Sequence, residues 1–123
     1  MTKDYIRKYL QEVKNIADLI DQKEINKIIE RIVLLKKRGG RIFFIGVGGS
    51  ASNCSHAVND FRKIAGIEAY TPIDNVAELT ARTNDEGWET VFREWLMMSK
   101  LNNKDILFVL SVGGGNEKNR ISV

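Results

Sequence analysis

The stretch FFIGVGGSASNCSHAVNDF, Phe43 to Phe61, decides how the chain is read. With Arg41 and Ile42 ahead of it, RIFFIG is a short apolar run ending in glycine, the pattern of a strand buried on both faces. After the glycines, Ala51, Cys54, Ala57, Val58, Phe61, Ile64 and Ala65 recur at helical spacing, so a helix with one apolar stripe follows. Gly46, Gly48 and Gly49 occupy the turn between them. Glycines there let a backbone approach a ligand closely and aim helix N-terminal N–H groups at an anion. Ser50 and Ser52 add hydroxyl donors. A tight turn with no ligand is the plain alternative.

Upstream lie two amphipathic helices. Ile6, Tyr9, Leu10, Val13, Ile16, Ala17 and Ile20 share one face, and Ile25, Ile28, Ile29, Ile32 and Leu35 repeat the pattern. Lys36, Lys37 and Arg38 suit the negative end of the second helix, and Gly39 suits its stop. Both stripes need cover, from the sheet or from another subunit. Downstream, IEAYTP from Ile67 reads as a weaker strand that exits at Pro72. A short helix is expected near Asp74 to Arg82, and TNDEG reads as a turn. WETVFREWLMMSKL reads as a helix with Trp88 and Trp95 in the core. DILFVLS reads as a second fully buried strand, followed by VGGGN. Alternation of strand and helix predicts an α/β fold with a parallel sheet flanked by helices. We expect one domain: a helical segment over 1–38 and an α/β part over 39–123.

Composition narrows the function. The chain has 123 residues, of which 43% are hydrophobic and 28% charged, enough for a packed core. Its net charge of +3 is scattered, with no basic run interleaved with aromatics, so nucleic acid is not expected as a partner. No apolar run approaches membrane-spanning length, and the charged N-terminus has no signal-peptide core. The single cysteine, Cys54, falls on an apolar stripe, where a buried structural thiol is expected, and fits a reducing cytoplasm.

Three groups carry chemistry. Ser111, Gly113, Gly114, Gly115 and Asn116 form a second glycine loop after a second strand. Ligands of parallel sheets sit beyond the carboxyl ends of the strands. Two such loops on neighbouring strand ends could grip two parts of one ligand, such as a phosphate and its sugar. His56, the only histidine, and Asp60 lie four apart on one helix face, with Ser52 and Asn53 on or beside it. Such a pair could bind a metal or move a proton; an exposed ion pair is the plain alternative. Gly46, Gly48 and Ala51 also fit the dinucleotide pattern G-x-G-x-x-A, with Glu68 near the second strand as the ribose-binding acid.

GVGGSASNCSH together with LSVGGGN resembles the sugar isomerase (SIS) domain family, and within it the phosphoheptose isomerase branch. GVGGSA, Gly46 to Ala51, is similar to that family's first loop. His56 matches the histidine of the following helix, and Asp60 stands where the family has glutamate. Asn84, Asp85, Gly87 and Glu89 match an N-D-x-G-x-E element, and Asp74 matches an aspartate ahead of it. Ser111 to Asn116 match the second loop loosely. The resemblance implies a SIS-type three-layer fold, of which this chain is the N-terminal part. The family's distal metal-ligand glutamine and catalytic histidine have no counterpart within these residues.

The resemblance also implies aldose–ketose isomerisation of sedoheptulose 7-phosphate to a manno-heptose 7-phosphate, in a cytoplasmic homotetramer. Gly48, Gly49, Ser50, Ser52, Asn53, Asp74, Asn84, Asp85, Ser111, Gly113, Gly114 and Asn116 would hold sugar and phosphate. Asp60 and His56 would be catalytic, and the same pair would bind zinc where a zinc is used. A non-catalytic sugar-phosphate-binding module and a dinucleotide-binding domain are the alternatives.

Overall fold

A computed structural model of the chain describes residues 2–114. The chain forms two compact units, Met1–Ile32 and Val33–Val123. In the first, helix α1 spans Thr2–Leu19 and helix α2, Gln22–Lys37, begins. Asp21 caps α2 by accepting from the N–H of Lys23 at 2.8 Å. The periodic apolar residues of α1 are exposed, among them Ile6, Tyr9, Leu10, Val13 and Ile16.

The second unit is a parallel sheet with helices on both faces. Strand β1 is Ile42–Gly46, β2 is Ala69–Tyr70 and β3 is Ile106–Leu110, in the order β2-β1-β3. Helix α3, Gly49–Lys63, joins β1 to β2. A 3-10 turn at Pro72–Asp74, helix α4 at Val76–Glu86, a second 3-10 turn at Trp88–Thr90 and helix α5 at Val91–Met98 join β2 to β3. Every residue of β1 is buried, as its unbroken apolar run requires of a central strand. On one face Phe44 meets Phe61 of α3, with ring centroids 5.2 Å apart. On the other Phe43 meets Trp95 of α5 edge-on at 5.6 Å. Alternation along β1 thus sends successive side chains into opposite helical layers.

The register of β1 and β3 is set at their N-terminal ends. The Arg41 guanidinium binds Asp105 through Nη2 at 2.8 Å and the carbonyls of Ser99 and Lys100 at 3.1 and 3.0 Å. The Arg41 N–H also donates to Asp105 at 2.9 Å. A Cβ on Gly40 would overlap the Lys104 carbonyl, so this approach needs glycine. Burial alone would push the Asp105 carboxyl up. The Arg41 guanidinium and the N–H groups of Arg41 and Asn102 outweigh it and hold that carboxyl below the usual carboxylate range.

Several expectations are corrected. β3 is not buried on both faces: Leu107 and Val109 are 43% and 45% exposed, because it is an edge strand covered on one side among the described residues. TNDEG is not a turn up to Gly87, since Thr83–Glu86 complete α4. Asn75 caps that helix by accepting from the Glu78 N–H, and its hydrogen-bonded register carries through to Glu86. Trp88 is 42% exposed and packs on Phe92 instead of entering the core. Ile64 follows the last turn of α3 and is exposed, off the stripe.

Replacing Asp105 with Ala should destabilise the protein by roughly 2–4 kcal/mol in urea unfolding, because it strands a mostly buried guanidinium. The pH dependence follows from the lowered carboxyl. Above the ordinary Asp range, about 3.9, the stabilisation is complete, and it is lost as pH falls through the folded-state value. Asp105→Asn should therefore flatten the acid limb of the stability curve.

Candidate functional site

Because β1 and β3 are parallel with Gly46 opposite Leu110, the two glycine loops leave neighbouring strands at the same level. Strands pair about 4.8 Å apart, so the loops start side by side. The first loop is shaped by two glycines. A Cβ on Gly46 would come within 2.8 Å of the Ser50 backbone, so glycine alone lets α3 start against the strand end. Gly48 is the N-cap of α3 with φ 60°, and no side chain caps the helix there. The N–H groups of Ser50 and Ala51 turn back onto the carbonyls of Val47 and Gly48 at 3.2 and 3.0 Å. Beyond the Cα atoms of Gly48 and Gly49 there is open space. The end of the helix is therefore uncovered on the side where a ligand would approach.

In the second loop the Ser111 hydroxyl accepts from the Gly114 N–H at 3.0 Å, which folds Ser111–Gly114 over the end of β3. Gly113 also faces open space. Asn116 and Gly115 lie outside the described residues.

Helix α3 carries the titratable pair. His56 Nε2 lies 3.3 Å from Asp60 Oδ2, with the side chains 78% and 44% exposed. Exposure makes the pair weak as a stabilising element and leaves it open to a ligand. Asn59 Nδ2 donates to the other Asp60 oxygen at 3.1 Å. Ser52 and Asn53 are exposed near the start of the same helix. Cys54 is fully buried, and burial pushes its thiol pKa up, which removes it as a nucleophile.

At the carboxyl end of β2, Asp74 accepts from the Ser55 hydroxyl of α3 at 2.7 Å. Ser55 did not stand out in the sequence, since its partner is 19 positions away. Beside this turn the Thr71 hydroxyl is buried and has no partner among the described residues. Asn84 and Asp85 are exposed in the last turn of α4, where Asn84 Nδ2 donates to Asp85 at 2.8 Å. No hydrogen bond among the described residues links that pair to either glycine loop.

Glu68 is not at the strand end that a dinucleotide needs. Ala69 pairs with Ile42, so Glu68 is level with Arg41, five residues before Gly46. At about 3.3 Å per residue this is roughly 16 Å from the glycine turn. Its carboxylate accepts instead from the Tyr70 hydroxyl at 2.8 Å.

The sequence profile of the SIS domain matches residues 4–120. The chain belongs to the SIS domain family. This SIS chain is 27% identical over 124 residues to a phosphoheptose isomerase of Syntrophotalea carbinolica, covering 93% of this chain and 62% of that one. It superposes on a phosphoheptose isomerase structure from Francisella tularensis with a TM-score of 0.80, at 21% identity, over 96% of this chain and 62% of the other. A Neisseria gonorrhoeae phosphoheptose isomerase structure gives 0.78 at 22% identity, over 90% and 61%. The SIS chain thus spans about three fifths of the length of these relatives, and its parallel sheet with flanking helices matches their fold. No described helix is long and apolar enough to cross a membrane.

Gly49→Ala separates the site from the fold. No atom lies within 4 Å of a Cβ there, and alanine favours the helix, so stability should hold or rise by up to about 1 kcal/mol. The methyl group would occupy the open space above the turn. Binding of inorganic phosphate, followed by calorimetry, should fall while the thermal midpoint does not.

Proposed function

We propose that the chain is the loop-bearing part of a sugar-phosphate isomerase, acting on sedoheptulose 7-phosphate to give a manno-heptose 7-phosphate. One observation carries the reading: two glycine loops side by side at parallel strand ends, with a histidine–carboxylate pair on the helix that leaves the first. The similarity to phosphoheptose isomerases supports the choice of sugar. Gly48, Gly49 and Ser50 would hold one end of the ligand, and Ser111, Gly113 and Gly114 the other. Asp60 would move the proton between C1 and C2 through an enediol, and His56 would donate to the carbonyl oxygen as charge builds on it.

His56 and Asp60 also suit zinc. Tetrahedral zinc with bonds of about 2.0–2.1 Å puts neighbouring donor atoms roughly 3.3–3.4 Å apart, and this pair is separated by 3.3 Å. They supply two donors of the three or four required, and no group of three His, Cys, Asp or Glu gathers among the described residues. Zinc held there would polarise the carbonyl in place of His56, since a ligating Nε2 carries no proton to donate. Assembly as a homotetramer belongs to the same proposal, supported by the exposed apolar stripe of α1. Placing Glu at both Leu10 and Val13 should then lower the oligomeric mass measured by light scattering; an unchanged mass removes α1 from the interface.

A second reading, a sugar-phosphate sensor without turnover, is favoured by Asp60 itself. Its two oxygens already face Asn59 and His56. Asp60→Asn distinguishes the readings. Under the isomerase reading it abolishes turnover, by at least about 100-fold, while sugar-phosphate binding persists. Binding by the wild type with no turnover in a sensitive assay would establish the sensor.

A further inference from the structure

We infer that Ser55 is a positioning residue that orients Asp74 toward the hydroxyl groups of the bound sugar. The inference rests on the sugar-phosphate reading and deepens it. Asp74 ends a three-residue 3-10 turn just past β2, an exposed position with little of its own to fix the carboxylate. Ser55 supplies the fixing, with a 2.7 Å hydrogen bond from its hydroxyl to Asp74 Oδ1. That length is ordinary for an O–H···O hydrogen bond.

The anchor is rigid. Ser55 follows Cys54, which is fully buried, and Val58 one turn on is buried too, so the core pins this part of α3. The same helix begins at the glycine turn and carries His56 and Asp60. Phosphate loop, proton-handling pair and sugar-facing carboxylate are thereby referenced to one element. With Oδ1 engaged by Ser55, Asp74 keeps Oδ2 for a hydroxyl donor. A polyol is the ligand chemistry that such a carboxylate selects, because a carboxylate accepts hydrogen bonds and repels a second anion. The phosphate therefore belongs at the glycine loops, and the hydroxyl chain runs toward β2.

The test is calorimetric binding of sedoheptulose 7-phosphate and of inorganic phosphate to the full chain. It uses the wild type, Ser55→Ala, Ser55→Thr, Asp74→Asn and the Ser55→Ala/Asp74→Asn double variant. We expect Ser55→Ala to weaken the sugar phosphate about tenfold and leave inorganic phosphate unchanged. Ser55→Thr, which keeps the hydroxyl, should restore most of the loss. The double variant should bind no more weakly than Asp74→Asn, since Ser55 acts only through Asp74. Wild-type affinity in Ser55→Ala, additive losses, or an equal loss for both ligands would overturn the inference. Failure of the wild type itself to bind the sugar phosphate would instead remove the sugar-phosphate reading, and the inference with it.

Discussion

The organisation of the α/β unit depends on the clamp between Arg41 and Asp105. It joins the first residue before β1 to the first before β3, which are 64 positions apart in sequence. Without a fixed register, two parallel strands can slip by a residue, and slippage sends every side chain to the opposite face. Five pairs follow from the clamp, Ile42 with Ile106 through Gly46 with Leu110. The last of them places two glycine loops beside each other. A salt bridge at the closed end of the sheet therefore dictates the geometry at the open end. Partial burial makes the clamp sensitive to the loss of either member, and its several hydrogen bonds offset the cost of desolvating the charges.

At the open end the constraint is steric. α3 reaches the strand end only because Gly46 has no Cβ, and its positive end is uncapped by any side chain. The N–H groups of Ser50, Ala51 and Ser52 already bond to the carbonyls of Val47 and Gly48, so what the end offers an anion is the favourable potential of the helix. The same helix is held from below by Cys54 and Val58 and capped at its far side by the bond between Lys36 Nζ and the Ala65 carbonyl. Under the sugar-phosphate reading, a helix held in this way would orient a ligand rather than merely attract one.

Much of this was legible in sequence. β1 was evident because a central strand is apolar without alternation, and α3 because its stripe repeats at helical spacing. Strand–helix alternation put both glycine loops at carboxyl strand ends, but only the strand order β2-β1-β3 makes them neighbours. What sequence could not give was neighbourhood. β3 has the same apolar run as β1, yet at the sheet edge it leaves Leu107 and Val109 exposed. Trp88 belongs to the helical pattern, but it sits in a 3-10 turn whose different pitch swings it off the buried face. Ser55 and Arg41 matter through partners distant in sequence, and one-dimensional periodicity carries no trace of such pairs. Glu68 failed for the converse reason: proximity in sequence to a strand did not say which end of the strand it occupies.

The aspartate at position 60, where the resemblance to the family places a glutamate, has a physical consequence at the pair. A glutamate at this position would carry its carboxylate roughly 1.5 Å further from the backbone, at the cost of one more free torsion. Aspartate keeps the charge close to α3, where His56 and Asn59 contact both of its oxygens. The shorter arm exchanges reach for fixed orientation. A ligand must then come to the helix rather than be met by the side chain. Under the sugar-phosphate reading the glycine turn would draw its ligand against the start of α3, and the Ser55 hydroxyl already holds Asp74 beside the same helix. Reach lost at one residue is compatible with function only where the neighbouring groups bring the reacting atoms closer.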